Sequence, residues 1–338
     1  MTVFVEKLAS LKLTLAVLVL LGAGVLYSYS HDAWRTEALV LPLALLSVNL
    51  LAAVATHPQF RRNSPLLMFH LALLAIVLLI AAGRMTYLKG RVELAEGEVF
   101  AGALLEVEQG PWHRSGLERF AFVNRGFAID YAPGLRRGRT ANRVDWQDAA
   151  GRRGSSVIGD HTPLVLEGYR FYTSPNKGFA PTFLWQGRGR APLLGTVNLP
   201  SYPINEYNQA QEWQPPGSST KVWVMLQFDE TILDPAKPSE FRLPRDHRLV
   251  VRLGEARHEL RPGDSLDLPD GRLIYQGLRS WMGYQVFYDW TTPWLLAACF
   301  LAAASLGWHY RRKFAARPWR AGEPEPVGTH AARADSCS

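Results

Sequence analysis

The sequence predicts an integral membrane protein in which four transmembrane α-helices carry one large extracytoplasmic β-rich domain, sandwich-like or barrel-like. Three observations predict it. Apolar runs of near-spanning length cluster at the two ends of the 338-residue chain. The middle alternates short β-branched and aromatic clusters with Gly, Pro and Asp punctuation. Basic residues gather at those ends of the apolar runs that would share one side of a membrane.

The runs are about Leu13 to Tyr29, Ala38 to Ala55, Leu66 to Ala82 and Trp294 to Tyr310. Lys7 and Lys12 precede the first, as in a signal peptide. A second run follows almost at once, however, and Tyr27-Ser-Tyr29-Ser-His31 is a poor small-residue cleavage site, so a retained helix is expected. Lys7 and Lys12, then Arg61 and Arg62, then Arg311, Arg312 and Lys313 all fall on one side if each run spans once. By the positive-inside rule that side is the cytoplasm. Residues 84–289 then lie outside, in the periplasm of a Gram-negative cell, with the helices anchored in its inner membrane. Tyr27, Tyr29, Trp34, Trp290, Trp294 and Trp308 sit near the expected interfaces. The expected organisation is 1–83 for three helices, 84–289 for the β-domain, 290–313 for the fourth helix and 314–338 for a disordered tail.

Within the middle, strands are expected at Phe120–Val123, Phe127–Tyr131, Leu164–Leu166, Tyr169–Tyr172, Val222–Phe228, Leu249–Leu253 and Leu273–Tyr275. Clusters such as Pro133 to Arg139 separate them. Arg136, Arg137, Arg139, Arg152 and Arg153 read as solvated turn charges, and Pro200 to Ser219 as a surface loop. The formal charge of +7 comes with no nucleic-acid-binding module, so membrane topology explains it better. The two cysteines, Cys299 and Cys337, lie outside the β-domain, which excludes an internal disulfide there. No CxxC or CxxCH occurs, so neither dithiol chemistry nor a c-type haem of its own is expected. His113, His161, His247 and His258 have no metal-ligand spacing and read as surface or loop residues. No catalytic constellation emerges.

The chemistry-bearing residue is His70, which interrupts an otherwise apolar run. An unpaired polar group in lipid costs several kcal/mol, so the imidazole needs a partner. Three readings stand open: an interhelical hydrogen bond, a proton relay, or an axial haem ligand. Counting from Pro65 at about 1.5 Å per residue places it about 7–8 Å into the helix. His31 and His309 fall at helix ends, where interfacial histidines are common.

The sequence from Phe69-His70-Leu71 through Gly83-Arg84-Met-Thr-Tyr87-Leu-Lys-Gly90 to Leu94-Ala-Glu96-Gly97-Glu98 resembles the ResB/CcsB family of cytochrome c assembly proteins. Pro163-Leu164 with Gly168-Tyr169, and Tyr284 to Asp289 leading into the last helix, are similar too. The resemblance spans nearly the whole chain. It implies a System II subunit that pairs with a ResC/CcsA-like partner, conveys haem b outward and supports its attachment to apocytochrome c. It also implies that His70 is an axial ligand of the haem iron, with the second ligand supplied by the partner. The chain lacks the Trp-rich motif and external histidine pair that the resemblance assigns to the partner. It is therefore expected to be a non-catalytic or accessory subunit of a haem lyase complex. The alternative is a membrane-anchored scaffold without haem that presents its β-domain to an extracytoplasmic partner.

Overall fold

The computed structural model describes residues 2–30 and 35–316. His31 and Trp34, and the expected tail from residue 317 onward, lie outside the described residues. The chain forms two compact units, Met1–Ala81 with Thr291–Ser338, and Ala82–Trp290.

Six helices are described: α1 (Thr2–Leu8), α2 (Leu11–Ser30), α3 (Arg35–Thr56), α4 (Pro58–Arg62), α5 (Ser64–Thr86) and α6 (Thr292–Ala316). Among the described residues, three helices are long and apolar enough to cross a membrane: α2, α3 from Ala38 onward, and α5. The protein is thus membrane-associated. The expected fourth span corresponds to α6, which has 25 residues but is not among those three. Its second half carries Trp308, His309, Tyr310, Arg311, Arg312 and Lys313. It also continues to Ala316, past the boundary at 313 read from the basic cluster.

Two devices pack α2 and α3. Pro42 lies inside α3 and has no N–H to give the carbonyl of Ala38, one turn back. Gly24 of α2 packs against that same carbonyl so closely that a Cβ would collide with it. Small residues permit such backbone approach between membrane helices. Nearby, Thr14 donates to Asn49 Oδ1 at 2.7 Å, and Asn49 Nδ2 donates to the carbonyls of Leu8 (2.6 Å) and Ser10 (3.3 Å). Asn49 thereby ties α3 to the break between α1 and α2, and Thr14 and Asn49 satisfy one another.

Apart from the last turn of α5 and one short helical turn at Leu117–Arg119, the second unit's regular structure is β. Its strands are β1 (Leu88–Ala95), β2 (Val99–Phe100), β3 (Glu106–Gln109), β4 (Ala121–Ala132), β5 (Arg136–Gln147), β6 (Arg153–Ile158), β7 (Leu164–Leu166) and β8 (Tyr169–Gly187). Then follow β9 (Leu193–Thr196), β10 (Ala210–Trp213), β11 (Val222–Gln227), β12 (Ser239–Glu240), β13 (Arg248–Leu253), β14 (Ala256–Leu260), β15 (Ser265–Leu268) and β16 (Gly271–Tyr288). Three sheets result. One has the order β3-β1-β16-β8-β7 with β15 and β9 at its margins; the others are β12-β4-β5-β6 with β2, and β10-β11-β13-β14. The spine is the antiparallel pair β8–β16, which runs from Gly187↔Gly271 to Tyr169↔Tyr288 through two bulges. Phe100, Phe122, Phe171, Phe179, Phe183, Trp185 and Tyr275 are buried in the shared core.

Several sequence expectations need correction. Arg136, Arg137 and Arg139 are not turn charges but lie on β5, and Arg153 opens β6. The inward side of β5 is Thr140, Asn142 and Val144, while Arg139 and Arg143 face out. The two strands expected at Phe120–Val123 and Phe127–Tyr131 are one strand, β4, with a bulge between Asn124 and Phe127. Pro200–Ser219 is not simply a loop, since it contains β10 and buries Tyr202 and Gln209.

Candidate functional site

His70 stands one and a half turns into α5. Its Nδ1 lies 2.8 Å from the carbonyl oxygen of Leu66, one turn back. A carbonyl can only accept, so Nδ1 carries the proton and donates. In the neutral ring the lone pair then resides on Nε2. Among the described residues nothing bonds Nε2. A metal-ligating histidine is oriented in this way, with its second nitrogen held by a backbone carbonyl. The ring itself is half-buried. Phe60, from the short helix α4, packs on it with ring centroids 4.5 Å apart, and Phe69 meets it edge-on at 5.4 Å. Phe60 is only 8% exposed, so it is a fixed wall.

Phe60 reaches this position because Pro58 opens α4 and Asn63 closes it, folding the chain back before α5 begins. Asn63 also bridges to α6, because its amide nitrogen lies 3.2 Å from His309 Nδ1. The amide donates and Nδ1 accepts, which joins α6 to the start of α5. His309 therefore meets Asn63. Neither Phe60 nor Asn63 carries a sequence signal for this role, because both act through tertiary contacts. No group of three or more His, Cys, Asp or Glu able to hold a metal ion exists among the described residues. Among the described residues His70 therefore offers a single ring nitrogen, Nε2, beside an apolar wall.

The β-domain histidines divide. His161 is exposed and His258 sits half-buried on β14. His113 is more than a surface residue. Its Nδ1 donates to Thr86 O at 2.8 Å, its Nε2 lies 3.1 Å from Tyr169 Oη, and its ring packs between Tyr169 and Tyr288. Both nitrogens are used, so the ring clasps the end of α5 to the β-domain. His247 is likewise half-buried, with Nε2 2.7 Å from Tyr275 Oη and a buried Nδ1 without a partner among the described residues. Burial lowers its pKa, against a smaller raising effect of Asp246.

A charged cluster lies inside the domain. Lys177 on β8 is 3% exposed, packs over the Tyr131 ring and donates to Pro175 O at 3.2 Å. Burial, aided by the Arg137 charge and opposed by Asp160, brings its pKa down to about 8. Arg137 pairs with Asp160 at 2.7 Å and also donates to Thr140. Burial pushes Tyr131 up to about 12.

The family-like motifs are architectural. Glu96 and Gly97 form the turn after β1, where Gly97 adopts φ +85°. Glu98 accepts the Ala95 N–H at 2.8 Å, and burial raises its pKa. Glu96 accepts from Ser280 Oγ at 3.1 Å. Tyr87 donates to Glu108 at 2.8 Å. Glu167 and Gly168 both have positive φ and make the two-residue turn joining β7 to β8.

No curated protein matches the chain. Residues 54–180 match the model of the ResB-like family, a segment that runs from the last turn of α3 through His70 and into β8. That match points to a role in cytochrome c biogenesis. Over this segment the chain is similar to ResB-like proteins.

Proposed function

We propose that the chain is the haem-binding, non-catalytic subunit of a membrane complex that conveys haem outward and supports its covalent attachment to apocytochrome c. One observation carries the reading. Nδ1 of His70 is tied to Leu66 O, which leaves the Nε2 lone pair free in an apolar helix. An interhelical hydrogen bond would need a partner on that nitrogen, and a relay would need a second titratable group beside it. The ring contacts found are two phenylalanines. In this reading His70 gives one axial bond to haem b, Phe60 excludes water from that face, and a ResC/CcsA-like partner gives the second bond. The complex sits in the inner membrane, with residues 84–289 in the periplasm, α6 as the fourth span and both chain ends in the cytoplasm.

The test is His70→Ala in the co-purified complex. Haem content and the Soret band should fall to near background, and added imidazole should restore part of both by filling the vacated axial position. Full haem content with an unaltered spectrum would refute the assignment. Normal haem with a pH-dependent loss of cytochrome assembly would instead show a relay.

A further inference from the structure

Beyond haem handling, the end of α5 and the loop Gly110–Gly116 share an unassigned surface. The apolar helix ends at Thr86, and Leu88 already belongs to β1. The loop after β3 is clamped to this last turn. Trp112 N donates to Met85 O at 2.8 Å, His113 Nδ1 to Thr86 O at 2.8 Å, and Gly110 fits so tightly that a Cβ would strike the Met85 backbone. Trp290 joins from the other connector, its indole N–H donating to Thr86 Oγ1 at 2.9 Å. Two tryptophans thus stand at one level around the final turn of a membrane-spanning helix.

Trp112 does not behave like a core residue. It is 67% exposed, and its indole N–H has no partner among the described residues. Arg84 precedes Met85, whose carbonyl holds Trp112 N, and Arg114 follows Trp112 by two residues; both are exposed and without a carboxylate partner among the described residues, and Arg84 sits 5.7 Å from the Tyr87 ring centroid. An amphipathic ring with a free donor and two unpaired guanidinium groups matches the headgroup region of a bilayer. There indoles partition at the acyl boundary and cations meet phosphate.

We propose that Trp112, Arg84 and Arg114 form a lipid-binding collar that seats the membrane-proximal end of the β-domain in the headgroup layer. The loop is then an anchor whose ligand is phospholipid, rather than an open surface awaiting a protein.

The full chain in nanodiscs decides it. In a Cys299→Ser, Cys337→Ser background, Trp112→Cys carries an environment-sensitive fluorophore. Asp267→Cys, on β15 at the far end of β16, serves as reference. The two positions are separated by roughly 50 Å of strand. Shallow spin-labelled phospholipid should quench the Trp112→Cys probe several-fold more than the reference, with blue-shifted emission. In Arg84→Gln, Arg114→Gln discs the dependence of that quenching on anionic lipid should disappear. Equal, water-like emission at both positions would overturn the proposal. So would a probe buried without lipid quenching, which would mean that protein covers the loop.

Discussion

Along the helices, Ser30, Ser47, Thr56, His70 and Thr86 each turn back to the carbonyl four residues earlier. In the β-domain, buried polar side chains reach across strands instead. Asn142 donates to Asn124 Oδ1 (2.8 Å) and Gly126 O (2.9 Å), Asn124 donates to Leu94 O (2.9 Å), and Tyr284 donates to Asn142 Oδ1 (2.8 Å). This network joins β1, β4, β5 and β16. A hydroxyl that back-bonds has spent its one proton locally. An imidazole in the same position keeps a second nitrogen on the far side of its ring. Back-bonding thus leaves a hydroxyl no proton to give elsewhere, whereas the His70 ring keeps a nitrogen unbonded among the described residues.

This contrast ranks the expected effects of substitution. Asn142→Ala should be the most damaging, because it strands Asn124 and Tyr284 in the core. A loss of roughly 3 kcal/mol is expected in chemical denaturation of the full chain. A neutral outcome would mean that the network does not hold the sheets.

Lys177 should follow, with the opposite sign. Its pKa falls from 10.5 to about 8 on folding, so between those values the unfolded state binds more protons and stability rises with pH. Below about pH 8 both states are charged, and the cost of burying the cation is present in full. Lys177→Met should add ~2 kcal/mol at pH 7 and flatten the rise between pH 8 and 10. Tyr131 opposes this rise only above its ordinary range, since its proton is retained to about 12. Denaturation midpoints measured at pH 7 and pH 9.5 give the answer.

The helical back-bonders should matter least for stability. Ser47→Ala should change it by no more than about 0.5 kcal/mol, and His70→Ala by about 1 kcal/mol, separately from the haem loss proposed for that variant. A large destabilisation by Ser47→Ala would erase the contrast between the two regions.

The sequence made the apolar helices legible because hydrocarbon length is a one-dimensional property. Strands rich in Val, Phe and Tyr were legible for a similar reason. β5 was not, because Arg136-Arg-Gly-Arg-Thr-Ala-Asn-Arg reads as a turn, and its inward residues Thr140 and Asn142 are polar. They are tolerated in the core only through partners on other strands. α1, α4 and β10 were missed as short elements set by their surroundings. At the candidate site, residue type and apolar context singled out His70. Phe60 packed on its ring, and Asn63 joined to His309, depend on how the chain folds back and leave no local signature.

The register Leu88↔Tyr288 places the first and last residues of the β-domain opposite each other on neighbouring strands, about 5 Å apart. A module with adjoining ends is a cassette. The chain enters and leaves the strands at neighbouring positions, so strand length elsewhere can grow or shrink without parting them. Variation in the size of such a domain is then an insertion problem with fixed endpoints, and the membrane helices need not register it.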